Sequence, residues 1–483
     1  MCAGYETLRG LQFLASFWRR ATHRSPPDCD VKLLPMANRE KAFFSCFLVV
    51  LLGLYALYVL RRGAGYELYG ADSQYYYATL RSIVFDGDFD FHDEFLRLTP
   101  HPENMNLRVE TSTGMLQNKY GVGWALVNLP AFLLIRVGTA AYTRLGGPTY
   151  SGYEAPFTLA VGVMGVLLTW LGTVLCYRIA KRYFPPLACM LGVLCVLLGS
   201  PLLYYTVVSN LFSHSAGFFA VAWFVHTAVT LAEDRPIGQT KEWFQWASLG
   251  LSGSLMCTIR YSNVVFAVLA VYPAATALRD MMRETKARAH IRRIWAAVAA
   301  ATLGSIPPLL IQMASWHQVY GHWVVYSYGN EGFSWAHPQI ANYLFSYRHG
   351  LAFYSPISLV GLVGLVVMAI TGSRTTPRLL VALSAGAGLM LLYLNAAWYC
   401  WWFGDGFGAR SYIEALPFLL LGLAAAFSTR QKWWRRILIG FCGVGTTWTL
   451  LCSRLLLAGY ISPQGSPLGH IAGVMERMAG LVP

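Results

Sequence analysis

Charged residues are scarce in this chain, and their scarcity excludes an ordinary soluble fold. Of its 483 residues, 12% are charged and 56% are hydrophobic, whereas a soluble domain carries about 25% charged residues. Apolar runs close to the roughly 20 residues that span a bilayer recur from residue 43 onward. The composition predicts an all-α, polytopic membrane protein.

Three other patterns are missing. The chain has no continuous basic patch: its net charge of +14 is spread over short runs between apolar segments, which is typical of cytoplasmic loops and predicts no nucleic-acid partner. The ten cysteines show neither metal-ligand spacing nor a secreted disulfide framework. No cleavable signal pattern precedes the first apolar run, which predicts an uncleaved anchor at 43–60, with Met1 or Met36 as the start.

The basic runs also assign a side of the membrane to each predicted span. They predict about eleven to twelve transmembrane helices in one domain at 42–457, between a basic cytoplasmic segment at 1–41 and a short tail at 458–483. The apolar stretch 122–141 would invert every later span if it crossed, so we expect it to be interfacial or re-entrant. The alternative is that it crosses and a neighbouring weak span does not.

Under this topology the unusual polar residues collect on the non-cytoplasmic face. The first outer loop, residues 62–121, holds nine of the 23 acids, and a second outer loop at 315–349 is rich in aromatic residues, most of which fit an interfacial belt. Charges that only set topology would be scattered over both faces. The convergence predicts a functional site at the outer surface.

Asp72 opens the most informative part of the first loop. The residues after it have the period of an amphipathic helix that lies on the membrane face, with Asp72 at or near its N-cap. Asp72 either only caps this helix or acts as a general base at the rim of a pocket.

The acidic run that follows has two interpretations. Asp86 and Asp88 are candidate ligands for a divalent metal, because alternating carboxylates in an extended turn can face one way. Asp88 and Asp90 are also secondary candidates for the site. The alternative is a solvated turn between two amphipathic helices.

Three cations are candidates for binding an anion. Arg260 and Arg410 are predicted at the outer ends of apolar spans, against the positive-inside bias, so each needs an anionic partner such as a phosphate or a carboxylate of the first loop. Lys119, next to Tyr120, either contacts an anionic head group or only snorkels to the interface. His214 and His349 lie in predicted outer turns, where each is a ligand contact or an ordinary surface residue.

In their order along the chain, these segments resemble a GT-C glycosyltransferase. The similar members are the protein O-mannosyltransferases and the lipid A aminoarabinose transferases, in a bacterial form that has only the membrane core. The resemblance is carried by four segments: the Asp72 loop with YYYATLRSIVFDGDFDFHDEF, NKYGVGW at 118–124, YRHGLAFYSP at 347–356 and FGDGFGARSYIEALPFLLLGLA at 403–424.

The resemblance implies a sugar transfer from a polyprenyl-phosphate donor to a glycan, lipid or protein acceptor, with inversion. It implies that Asp72 activates the acceptor and that Lys119, Arg260 and Arg410 lie near the donor phosphate. It also implies a bacterial inner membrane with the site facing the periplasm. Family members often carry two adjacent acids in the first loop, whereas Asp72 lies between Ala71 and Ser73, which weakens a paired-carboxylate or metal role there.

Two other functions stay open from the sequence. A transporter or flippase would use ionisable or broken-helix sites near the bilayer midplane, and Gly and Pro interruptions keep that interpretation alive. An inactive scaffold of the same fold is the other alternative.

Overall fold

The computed structural model describes residues 37–63, 68, 71–98, 109–234, 239–283, 287–373 and 375–478. The predicted N-terminal segment lies almost wholly outside this part of the chain. Within it, the regular elements are helices, apart from two isolated β-bridges. The α-helices are α1 Asn38–Arg62, α2 Ala71–Phe85, α3 His92–Leu98, α4 Gly123–Arg144, α5 Ala155–Lys181, α6 Pro186–Leu198, α7 Leu202–Val207, α8 His214–Glu233, α9 Gln239–Ile259, α10 Val271–Arg283, α11 Ala287–Tyr320, α12 Ile340–Phe345, α13 Leu351–Tyr354, α14 Pro356–Thr371, α15 Arg378–Ala397, α16 Leu416–Phe427, α17 Lys432–Leu457 and α18 Leu468–Met478.

Nine helices among the described residues are long and apolar enough to cross a membrane. The prediction of an all-α, polytopic membrane protein is confirmed. Two further apolar helices, α6 and α14, are shorter. The helix α9 is long enough to cross but not apolar enough to count among the nine.

The stretch 122–141 forms the continuous 22-residue helix α4, which is among the nine of membrane-crossing length. Contacts on either side keep both of its ends on one face. Before it, Tyr120 bonds Asp72 of α2, and after it the Gly152 carbonyl accepts a hydrogen bond from Tyr77 of the same helix. Lys181, the last residue of α5, lies 2.7 Å from Glu40 near the start of α1, so α5 ends on the side where α1 begins. The structure therefore agrees with the expected interfacial helix, without a re-entrant turn.

The bundle is layered around α16. Every residue of α16 is buried, whereas α1 and α11 expose valines and leucines, as helices that face lipid do. The helix α8 packs on α5, α9 and α16. The 3-10 helix Arg410–Ala415 leads directly into α16 and packs on α8. Polar side chains of this 3-10 helix therefore meet those at the start of α8.

Candidate active site

Asp72 and Arg410 form the centre of the candidate site. Arg410 Nη2 lies 2.9 Å from Asp72 Oδ2, and the Tyr120 hydroxyl donates a 2.8 Å hydrogen bond to Asp72 Oδ1. Within the protein, the partner of Arg410 is thus a first-loop carboxylate, as the ion-pair alternative states. Both oxygens of Asp72 are therefore engaged.

The pKa of Asp72 reflects two opposing effects. Burial alone would raise the pKa of this carboxyl, but the positive charge of Arg410 and the hydrogen bond from Tyr120 outweigh it, with smaller effects from Lys119 and Arg260. The net result is a pKa below the usual range, so Asp72 is ionised at neutral pH.

The helix that carries Asp72 is buried in the protein. Asp72 lies in the first turn of α2, close to the predicted N-cap position. The aromatic residues Tyr75, Tyr76 and Tyr77 that follow are buried, and Tyr120 packs on the first two at ring distances of 5.2 Å and 4.7 Å. The apolar face that we assigned to the membrane surface thus packs mainly on protein.

Arg410 is held by the segment on either side of it. The loop before it turns through positive φ at Phe403 and Gly404, and the Phe403 carbonyl accepts a 2.7 Å hydrogen bond from Arg410 Nη2. The ring of Phe212 lies 5.0 Å from the guanidinium carbon. The other terminal nitrogen, Nη1, is buried and forms no direct hydrogen bond among the described residues, although the Tyr205 hydroxyl also stabilises the guanidinium.

The C-terminal segment also secures this loop. The Gly406 amide donates to the Pro463 carbonyl at 2.9 Å, and His349 Nε2 lies 2.8 Å from the same carbonyl oxygen. His349 Nδ1 lies 2.8 Å from the Trp402 carbonyl oxygen. The structure therefore places His349 as a buried tether of the loop, in contrast to the exposed turn that we expected.

Lys119 has a partner in the aromatic outer segment. Its Nζ lies 2.5 Å from Glu331 Oε1, and each side chain is 25% exposed. The ammonium also lies 5.7 Å from the ring centre of Tyr120 and 5.5 Å from that of Tyr328. Lys119 is thus next to the residue that bonds Asp72, and it is paired within the protein instead of reaching out as a snorkelling side chain would.

Gly121 and Gly123 explain how Lys119 comes close to Arg260. A Cβ on Gly121 would lie 2.0 Å from the Thr258 carbonyl oxygen, and one on Gly123 would lie 2.4 Å from the Ile259 nitrogen. Only glycine permits this approach. The close contact is with the end of α9, directly before Arg260.

Arg260 and His214 share a buried carboxylate. Arg260 lies in extended conformation before the 3-10 helix Tyr261–Ala270, and its Nε is 3.6 Å from Glu414 Oε1. His214 Nδ1 is 3.1 Å from the same oxygen. His214 is the first residue of α8 and is buried, whereas we expected a turn.

The acidic run is a turn that connects two helices, as its alternative interpretation states. Asp88 Oδ1 accepts hydrogen bonds from Ser82 Oγ at 2.9 Å and from the Asp90 amide at 3.1 Å. Asp90 Oδ1 is 2.5 Å from His92 Nδ1. Neither Asp88 nor Asp90 has a recorded contact with Arg410 or with the residues around it.

A different set of acids converges in this region. Oxygens of Asp86, Asp93 and Glu94 lie within 4.8 Å of one another, and Arg81 Nη1 bonds all three. The predicted Asp86–Asp88 metal pair is therefore replaced by a group that already contains a protein cation. Burial and a hydrogen bond with Asp93 raise the pKa of Glu94 to about 9.

The sequence analysis missed Glu331 and Glu414. Glu414 had a readable signal, because a carboxylate inside an apolar, membrane-length segment is costly and commonly functional. Glu331 had none, since it lies among aromatic residues that fit an interfacial belt.

Comparison with known proteins gives a similarity in fold. No family model matches this chain, and no curated protein sequence matches it. Solved structures with a similar course of chain include ArnT from Cupriavidus metallidurans bound to undecaprenyl phosphate, with 11% identity and a TM-score of 0.47 over 81% of this chain. The apo state of ArnT from the same organism has 12% identity and a TM-score of 0.47 over 84%. The alignments span 60% and 62% of those chains. At this level a similarity concerns the path of the helices and not individual residues.

Proposed function

We propose that this protein is a membrane glycosyltransferase. It moves a sugar from a polyprenyl-phosphate donor to a glycan, lipid or protein acceptor on the non-cytoplasmic face, with inversion. The observation that carries the proposal is the buried Nη1 of Arg410, which has no hydrogen-bond partner among the described residues. An unpaired buried guanidinium nitrogen is costly, and a phosphate oxygen is a ligand that it can hold.

Arg410, Arg260 and Lys119 supply the positive charge for the donor phosphate. These three residues belong to separate segments of the chain. The contact of Gly121 and Gly123 with the end of α9 joins the segments of Lys119 and Arg260, and the Asp72–Arg410 pair joins α2 to the segment of Arg410. Positive charge fixed in a buried site stabilises the negative charge that grows on the departing polyprenyl phosphate.

Asp72 takes the proton of the acceptor. With Arg410 beside it, its lowered pKa makes it a weak base. A donor phosphate that binds Arg410 neutralises part of that charge, so the pKa of Asp72 returns toward its ordinary value. Donor binding thus prepares the base. The acceptor oxygen or nitrogen then forms its bond to the anomeric carbon as the carbon–oxygen bond to the phosphate breaks.

Release of polyprenyl phosphate from a labelled polyprenyl-phosphate sugar tests the proposal. We expect the purified wild-type protein to release it, and Arg410→Gln to reduce the rate by about 100-fold or more. Arg293→Gln is the control, because Arg293 pairs with Glu242 near the start of α9, at the opposite end of that helix from Arg260. Equal rates for the two variants, or movement of donor across vesicles without release, would overturn the proposal.

A further inference from the structure

Glu414 is the one carboxylate of the site that cannot turn to solvent. Its side chain is 1% exposed, whereas Asp72 is 24% exposed and Glu331 is 25% exposed. The site carries three carboxylates and three cations, so its charges balance before any ligand enters. A phosphate oxygen can bind the free Nη1 of Arg410 directly. A phosphate that also binds the paired cations displaces a carboxylate, and only the two part-exposed acids have somewhere to go.

The chain is built to keep Glu414 where it is. A Cβ on Gly217 would lie 2.8 Å from Glu414 Oε1, so glycine leaves the room that the carboxylate needs on α8. The second oxygen, Oε2, is buried and has no hydrogen-bond partner among the described residues. An acceptor left in this state is energetically unfavourable, and packing alone does not require it.

The backbone explains why Glu414 and Arg410 serve different partners. Both lie on the 3-10 helix Arg410–Ala415, in which three residues make about one turn. Residues four apart therefore point about 120° away from each other. Arg410 reaches Asp72, while Glu414 reaches His214 and Arg260.

His214 connects Glu414 to the centre of the site. Its ring packs at 4.6 Å on Tyr205 and at 6.4 Å on Phe212, and Phe212 is the ring beneath Arg410. If Nδ1 donates its hydrogen to Glu414, Nε2 is left as an acceptor.

We infer that Glu414 is a positioning residue, which holds Arg260 and His214 in place while the phosphate displaces Asp72 and Glu331 from their cations. The inference rests on the proposed function. Asp72 and Glu331, which are part-exposed, make way for the ligand. Glu414, which is buried, keeps Arg260 and His214 in position. Loss of Glu414 should therefore affect the chemical step more than the capture of the donor.

Glu414→Gln tests this, with Glu233→Gln as the matched control. Glu233 ends the helix that His214 begins, about 30 Å away, and it is a mostly buried acid that accepts from Tyr272 at 2.9 Å. We expect Glu414→Gln to lower kcat by about 10-fold or more while the donor KM stays within about 2-fold. Glu233→Gln should leave both constants unchanged in the folded fraction. Equal effects of the two variants would overturn the inference.

Double variants identify the route of the effect. If Glu414 acts through its partners, Glu414→Gln adds little in an Arg260→Gln or a His214→Asn background. Fully additive losses in both backgrounds would contradict a positioning role.

A binding measurement separates this inference from the proposed function. Polyprenyl phosphate should raise the melting temperature of the wild-type protein, of Glu414→Gln and of Glu233→Gln by similar amounts, because Glu414 is not displaced when the phosphate binds. This readout does not depend on sugar transfer. A much smaller shift for Glu414→Gln, or wild-type transfer with an equal rate for that variant, refutes only the inference. Shifts without transfer by the wild-type protein refute the transferase.

Discussion

Replacing Asp72 by Asn should damage both activity and stability. Asp72 is the carboxylate beside Arg410, whose side chain is only 10% exposed. Asn can still accept the hydrogen bond from Tyr120, but it carries no charge to balance the guanidinium. The variant therefore leaves a nearly buried cation without its partner, in addition to removing the proposed base.

The size of the loss follows from the geometry. Two unit charges 4 Å apart near a protein surface attract by about 4 kcal/mol, and removing one partner of a buried pair costs about 3–5 kcal/mol. Asp72 keeps 24% of its side chain exposed, so water compensates part of this. We expect a loss of roughly 2–3 kcal/mol for Asp72→Asn.

The double variant Asp72→Asn/Arg410→Gln separates the two effects. It carries neither charge, so its apparent melting temperature in detergent should lie above the value that the two single losses predict together. Its transferase rate should stay as low as that of Asp72→Asn. Asp90→Asn is the control, because Asp90 pairs with His92 in the turn, and it should change neither quantity.

Two results would refute this reasoning. Strictly additive changes in melting temperature would mean that Asp72 and Arg410 do not stabilise each other. Near-normal turnover by Asp72→Asn, measured as release of polyprenyl phosphate, would exclude Asp72 as the base.

Two further predictions concern other ion pairs. Glu331→Gln frees Lys119 from a part-exposed ion pair worth about 1 kcal/mol at most. The donor KM should therefore fall by about 2- to 5-fold in steady-state assays. A higher KM would contradict this prediction. Because the pKa of Glu94 rises from 4.5 to about 9, the folded protein keeps a proton that the unfolded chain releases. Stability should therefore decline as the pH rises through that window. As the pH rises through this window, the melting temperature of Glu94→Gln should fall less than that of the wild-type protein. Equal falls for the two proteins would contradict a raised pKa of Glu94.

Composition and periodicity predicted much of the fold, because crossing a bilayer imposes length and polarity on each helix. The helix after Asp72 and the turn at Asp88 were both predictable from local pattern. The stretch 122–141 has the length of a crossing helix, and only the charges of the neighbouring segments indicated an interfacial position.

The candidate site was predictable one residue at a time but not as a network. The sequence indicated that Arg260 and Arg410 each need an anion, since each stands against the positive-inside bias. It did not indicate that Asp72 serves one and Glu414 the other, because these pairs join segments far apart in the chain. The role of Gly121 was not predictable for the same reason: a glycine permits a close approach without revealing what approaches.

The Pro463 carbonyl has a consequence for how the protein is made. It lies beyond α17, yet it accepts the hydrogen bond from the loop that carries Arg410 and lies against His349. During synthesis the ribosome adds Pro463 after every helix of membrane-crossing length among the described residues. Insertion into the bilayer can therefore be complete while the arginine loop is still without its last support, and a chain cut short by a premature stop codon after α17 would be inserted but catalytically silent.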